Sequence, residues 1–282
     1  MKIGFIGQGY VGKNTADDFE TRSFSIVRYS LEPEYIGNKD AIGECDVVFI
    51  AVPTPSTPEG FDFSIVRDAI LLVRPGASVV LKSTLIPGTT LALQREYPDR
   101  TILFSPEFLC EATASYDAGH PIFNIIGWAE DTDQQKKAAT EVMALLPLCK
   151  NQFLTTATAA EIFKYAHNIQ GYMRVILSNL LYDVSSAFTT DWEQIKQMMQ
   201  VDPMMSPWYN SPIHKTGRGA GGHCFIKDMA AFRMLYAQVC EKDTEGLAVL
   251  TSMEKKNLEL LKATNKDQDL VSGVYGESNR QI

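Results

Sequence analysis

Residues 217–228 read Gly-Arg-Gly-Ala-Gly-Gly-His-Cys-Phe-Ile-Lys-Asp. A thiol that attacks carbon must be approachable and ionisable. Glycines at 217, 219, 221 and 222 keep side chains away from Cys224, and Lys227 and Lys164 are the cations on hand to favour its thiolate. Lys164 and Asn168 lie four residues apart in a proline-free run, so one helix face presents an ammonium and an amide together. Those are the donors that a developing alkoxide or oxyanion needs. At the start of the chain, Gly7, Gly9 and Gly12 form a G-x-G-x-x-G turn between a strand-like and a helix-like segment. The first glycine makes the turn, the second lets backbone meet a pyrophosphate, and the third lets helix and strand approach. The helix start then offers its N–H groups to the phosphates. A carboxylate near the tip of the following strand would hold the ribose hydroxyls. The strand ends at Ser30, with Glu32 two residues on and Arg28 two back. Glu32 suits NAD, whereas Ser30 with Arg28 suits the 2′-phosphate of NADP, unless Arg28 is only a solvated strand residue.

The elements that must position these groups follow from hydrophobic spacing. Up to about residue 150, short Val/Ile-rich runs (2–7, 24–30, 45–53, 78–84, 100–106, 121–129) alternate with helical segments. This predicts an α/β fold with a parallel sheet covered on both faces, a Rossmann-like doubly wound domain over residues 1–152. The Asp-Thr-Asp at 131–133 predicts a capped helix. Beyond 150 the strands are expected to stop. One long helix is predicted near 155–188, a second over 191–201, and two more from 227 and from 244. Between the second and third of these helices a Pro/Gly/Ser-rich loop over 202–222 leads up to Cys224 and is too long to be idle. The expected division is a helical substrate and dimerisation domain at 153–264 and a polar tail at 265–282.

Composition bounds the partners. The chain has 282 residues, 45% of them apolar, and a net charge of -8. That charge argues against non-specific nucleic-acid binding. Five cysteines, an odd number with no C-x-x-C pair, signal neither a zinc site nor a disulfide framework. No metal-ligand spacing is present, and His167 and His223 are read as packing or hydrogen-bonding residues. The N-terminus does not read as a signal peptide, and no apolar run could span a bilayer. A reducing, cytoplasmic setting is expected.

Six segments, in order, extend the picture: Val52–Pro55 (VPTP), 82–90 (KSTLIPGTT), 105–114 (SPEFLCEATA), 164–168 (KYAHN), 209–212 (YNSP) and 217–228. Together they resemble the UDP-glucose and GDP-mannose 6-dehydrogenase family over residues 1 to about 264. The resemblance implies NAD as cofactor and a homodimer built on the long helix. It also implies a four-electron oxidation of a nucleotide sugar's C6 alcohol to a carboxylate, with UDP-glucose to UDP-glucuronate foremost. It assigns Cys224 as nucleophile through a thiohemiacetal and thioester, Lys164 and Asn168 to the oxyanion, and Asp228 with Thr84 to a water. Of the two glutamates, Glu111 is favoured for chemistry and Glu107 for site architecture. Gly7, Gly9, Tyr10, Val11, Gly12, Glu32, Pro53, Thr54, Thr84 and Lys227 fall to the cofactor. Glu107, Phe108, Leu109, Lys164, Asn168, Tyr209, Asn210 and Gly221 fall to the substrate.

The chain departs from the family pattern at Cys110, where a cation is usual, and at Met204-Met205-Ser206, where a basic-apolar-glycine stretch is usual. Leu180 stands for a glutamate and Arg174 for a lysine. Relatives continue into a third α/β domain, whose first strand "VSGVYG" (271–276) resembles. Two other readings stay open: a two-electron β-hydroxyacid-type dehydrogenase using Lys164 and Asn168, and a catalytically silent dinucleotide or nucleotide-sugar sensor.

Overall fold

The computed structural model describes residues 1–58 and 60–276. In chain order the elements are β1 (Ile3–Ile6), α1 (Tyr10–Thr21), β2 (Ile26–Tyr29), α2 (Lys39–Ile42), β3 (Val47–Ile50), β4 (Ser56–Thr57), β5 (Gly60–Phe61), α3 (Ser64–Leu71), β6 (Ser78–Leu81), α4 (Thr89–Glu96), β7 (Thr101–Phe104), α5 (Ala114–Gly119), β8 (Phe123–Trp128), α6 (Asp133–Met143), β9 (Asn151–Thr156), α7 (Ala157–Ala187), α8 (Trp192–Val201), β10 (Ile213–His214), β11 (Gly217–Arg218), α9 (Gly222–Val239), α10 (Thr244–Ala263) and α11 (Gln268–Tyr275). They form two compact units: Met1–Thr54 with Asp62–Lys164, and Pro55–Phe61 with the chain from Tyr165 onward. The chain passes from one to the other inside α7.

The first unit is built on a seven-stranded sheet of order β2-β1-β3-β6-β7-β8-β9. All neighbours are parallel except β7 and β8. Every residue of β1, β3 and β7 is buried, which requires cover on both faces. Register then does the positioning. Ile6, Ile50, Leu81 and Phe104 stand in one row across four parallel strands. The residues that follow them, Gly7, Ala51, Lys82 and Ser105, therefore leave the same carboxyl edge. There the chain reverses direction between β2-β1 and β3, the switch point where open α/β sheets bind ligands. Phe5 and Phe49, register partners, stack at 5.0 Å, and Phe19 of α1 meets them edge-on at 5.1 and 5.3 Å. At about 0.5–1.5 kcal/mol per aromatic pair beyond burial, this cluster pins α1 against β1.

Strands do not stop at residue 150. β9 is an exposed edge strand, with Phe153 and Leu154 52% and 42% exposed, so no buried apolar run marks it in the sequence. It feeds α7 directly. A Cβ on Gly127 of β8 would come within 2.6 Å of the Ala157 backbone, so that glycine is what lets α7 begin so close to the sheet.

The second unit is mainly helical, with two short antiparallel pairs, β4-β5 and β10-β11. Asp191 and Asp243 cap α8 and α10 through the N–H groups of Glu193 and Gly246. The stretch 268–275 is helix α11, so residues 271–275 are not the strand that their resemblance to a further domain's first strand implies. Val271 packs with Ile226 and Leu261 in a small core, and the Tyr275 hydroxyl donates to Glu254 at 2.9 Å. Tertiary burial has overridden β-propensity. The rest of the predicted tail, 277–282, lies outside the described residues.

Candidate active site

The glycine turn has the geometry its spacing predicts. Gly7 has φ +90°, a left-handed conformation that disfavours any side chain. A Cβ on Gly12 would overlap the Gly7 carbonyl oxygen, so α1 packs on the turn only because residue 12 is bare. At Gly9 a Cβ would meet nothing within 4 Å. That space lies at a helix start with no side-chain cap, which favours a negatively charged group. Tyr10 and Val11 open α1 behind it. Partial burial, then the negative field of Glu107, push the Tyr10 phenol up to about 12, so it stays neutral. Arg28 takes neither role that the sequence allowed. It is held by Glu20 at 2.7 Å, Asp17 at 2.8 Å and the Gln8 amide oxygen at 3.2 Å. A guanidinium paired twice with α1 carboxylates is not available to a 2′-phosphate. Glu32 is exposed past the tip of β2, its N–H donating to the Ser30 hydroxyl at 3.3 Å.

The ends of β3 and β6 are tied together. Ser83 Oγ bridges the Val52 backbone, accepting from its N–H at 3.0 Å and donating to its carbonyl at 2.7 Å. Thr54 Oγ1 donates to the Thr84 carbonyl at 2.8 Å, holding the Pro53–Thr54 turn. At the same end of β6, Lys82 is buried with Nζ at 3.3 Å from the carbonyl of Ser105, which follows β7. Burial, and the neighbouring Lys164 charge, bring its ammonium down to about 8, against the opposing pull of Glu107.

Lys164 is 3% exposed. Its Nζ donates to the Glu107 carbonyl at 2.7 Å and carboxylate at 3.3 Å, and lies 5.0 Å from the Phe108 ring. Of its apolar neighbours on α7, Ile162 and Phe163 are 53% and 44% exposed, whereas Tyr165 is 1% exposed. What encloses Lys164 is the 105–109 turn at the end of β7. Glu107 is thus the glutamate on the lysine. Glu111 is exposed and lines an open hollow of about 730 Å³ with Tyr10, Asn14, Thr113 and Tyr116. The exposed thiol at 110 follows Leu109 without the cation of the family pattern.

In the second unit Asn168 Nδ2 donates to Asp228 Oδ2 at 2.5 Å, and Lys227 Nζ to Asp228 Oδ1 at 2.5 Å. Asp228 is 1% exposed, so its charge is matched on both oxygens. Lys227, assigned from the sequence to the cofactor and to the thiol, is engaged by this carboxylate. Cys224 is not in a loop: α9 begins at Gly222, which puts the exposed sulfur in the first helical turn, one turn ahead of Asp228 on the same face. A helix start favours negative charge. Gly171 of α7 leaves room for the rings of Tyr209 and Phe225, which a Cβ would approach to 3.0 and 2.9 Å. Tyr209 holds φ +67°, a conformation rare for an aromatic residue, with its carbonyl accepting from Ser178. Asn210 is buried and donates to the Ser206 carbonyl. His167 and His223 are exposed.

Three residues escaped the sequence reading. Glu161, one turn before Lys164, is fully buried and accepts from the Gly88 and Thr90 N–H groups and the Thr90 hydroxyl, at 2.6, 2.8 and 2.5 Å. A lone acid on an otherwise apolar helix face was its available signal. Arg218 reaches Asp183 at 2.7 Å and the Asn179 side chain at 2.7 Å. Lys82, a single charge ending an apolar strand, is the third. Among the described residues no cluster of three metal-ligating side chains exists, and no helix is long and apolar enough to cross a membrane.

Comparison with known proteins gives two family matches. Residues 36–145 match the UDP-glucose/GDP-mannose dehydrogenase family, NAD binding domain, and residues 158–265 match its central domain. The putative UDP-glucose 6-dehydrogenase YtcA of Bacillus subtilis is 28% identical over 98% of this chain and 69% of its own length. UDP-glucose 6-dehydrogenase AglM of Haloferax volcanii is 28% identical over 82% of this chain and 64% of its own. In fold, the chain is similar to a UDP-glucose dehydrogenase from Pyrobaculum islandicum, with TM-score 0.76 and 22% identity, covering 93% of this chain and 70% of that one. It is also similar to 3-hydroxyisobutyrate dehydrogenase of Mycobacterium tuberculosis, with TM-score 0.70 and 15% identity, covering 97% and 98%.

Proposed function

Because the chain belongs to the UDP-glucose/GDP-mannose dehydrogenase family, carrying its NAD-binding and central domains in order, we propose that it oxidises the C6 alcohol of a nucleotide sugar, UDP-glucose foremost, to the carboxylate. The balance is one alcohol, two NAD and one water giving one carboxylate, two NADH and three protons. Bound NAD supplies the hydride acceptor for both oxidations. Lys164, desolvated and fixed on Glu107, holds the C6 oxygen as its proton leaves, and Asn168 adds an amide donor one turn along. The Cys224 thiolate adds to the aldehyde carbon, forming a thiohemiacetal. Its oxidation gives a thioester, which water cleaves with release of the thiol. Asp228, held by Asn168 and Lys227, orients that water. Glu107 is the carboxylate best placed to move a proton at Lys164, so the chemistry first given to Glu111 falls to Glu107. Glu111, beside Tyr10, serves the cofactor side.

The observation that carries this reading is the Asn168–Asp228 contact. It joins the Lys-x-x-x-Asn helix to the helix that presents Cys224. A homodimer is supported by an exposed apolar stripe on α7, made of Met173, Leu177, Leu180, Leu181 and Val184. Leu180, where relatives carry glutamate, extends it. The setting we propose is cytoplasmic.

A screen of UDP- and GDP-sugars should reduce two NAD per sugar oxidised, and Cys224→Ala should stop before the acid. Full acid production by Cys224→Ala would overturn the mechanism. A two-electron reaction through Lys164 and Asn168 alone is the second reading. It predicts one NAD per substrate and no dependence on Cys224.

A further inference from the structure

We propose that Lys266 and Asp267, at the corner between α10 and α11, are positioning residues for Cys224. The proposal rests on the reading of Cys224 as nucleophile. Cys224 is exposed and stands in the first turn of α9, so the backbone of that turn fixes the direction in which its side chain leaves the helix. That turn has no cap of its own, because its N-cap residue is Gly221. Asp267 Oδ2 supplies the cap from elsewhere in the unit, accepting from the Gly222 N–H at 2.7 Å. The buried Lys266 ammonium donates to the Gly219 carbonyl at 2.9 Å and reaches that of Gly217 at 3.4 Å. Asn257 takes both polar groups of Ala220, at 2.6 and 2.9 Å, and Thr264 Oγ1 accepts from the Arg218 N–H at 3.1 Å.

Backbone groups of residues 217, 218, 219 and 222 are thus held by one corner, and those of residue 220 by Asn257 of α10. The glycines have a second purpose here besides access. A Cβ on Gly221 would collide with the Asp267 carboxylate and lie 2.8 Å from Lys266 Cε. The corner bends through Asn265 and Asp267, both at positive φ (51° and 52°), in the left-handed region that Asn and Asp tolerate best among side-chain residues. It is braced where Val271 packs on Ile226, a residue between Cys224 and Asp228. Such strain persists only where the surroundings hold it.

Asp267→Ala removes the acceptor, whereas Asp267→Asn keeps an oxygen for the Gly222 N–H. The expected result for Asp267→Ala is amide hydrogen exchange in 217–225 at least about tenfold faster, with α1 and the sheet unchanged. A drop in kcat of about 10²-fold should accompany it at constant KM for NAD, the cost of misplacing a reacting atom by about 1 Å. Asp267→Asn should recover most of both effects. Unchanged exchange at 217–225 would overturn the proposal, and so would faster exchange spread over the whole chain, which would make Asp267 a general stability residue. If no nucleotide sugar turns over, the functional reading fails while the exchange measurement still decides this one.

Discussion

At the scale of single residues, bare positions and buried charges do different work. Gly9 and Gly12 belong to one motif, yet a methyl at Gly9 enters open space and a methyl at Gly12 enters the Gly7 carbonyl. Gly9→Ala should therefore keep its melting temperature and weaken NAD binding about tenfold, or 1.4 kcal/mol. Gly12→Ala should lose about 1–3 kcal/mol of stability by overpacking. Calorimetry and NAD titration of the two variants separate the effects. The two glutamates of the 105–114 stretch make a similar pair. Glu107→Gln, on Lys164, should cut kcat by about 10²-fold. Glu111→Gln, in the hollow beside Tyr10, should act on KM for NAD and hold kcat within about threefold. Steady-state kinetics with both substrates varied checks this, and equal kcat losses would return the chemistry to Glu111.

At the scale of elements, α7 is joined to the sheet by a charge as well as by packing. Burial pushes the Glu161 carboxyl up from its ordinary 4.5 to about 7, against three donors from the start of α4 that pull it down. The folded state therefore holds this proton more tightly than the unfolded chain does. Its contribution to stability is fully present below pH 4.5 and is lost as pH rises through 7, by roughly 3 kcal/mol in all. Glu161→Gln should flatten the stability–pH profile between pH 5 and 7, measured by urea unfolding. A profile as steep as that of the parent would remove Glu161 as its cause. The same logic of shared donors explains why α9 needs a cap from α11: its own sequence, Gly-Gly-His-Cys, has no side chain to offer.

At the scale of the whole molecule, the apolar stripe on α7 is the feature a lone chain leaves exposed. Leu177 and Val184 are each 55% exposed, two turns apart on one face. Leu177→Glu with Val184→Glu should convert the proposed dimer to a monomer in sedimentation, and cost the melting temperature little. Unchanged mass would place the interface elsewhere. The chain spans 69% and 64% of the lengths of the two relatives compared.

The sequence by itself determined the α/β order up to β8, the glycine turn and the shared helical run of Lys164 and Asn168, because each depends on neighbours within a few residues: period, turn chemistry and helix spacing. It also carried the family, through six short motifs in order. The tertiary structure alone decided which glutamate meets Lys164, that Arg28 is consumed by α1 carboxylates, that residues 268–275 form a helix, and that Asp267 caps the Cys224 turn. Those pairings join residues 8 to 57 positions apart in the chain. Packing chooses such partners from many of equal local plausibility, and no local pattern records the choice.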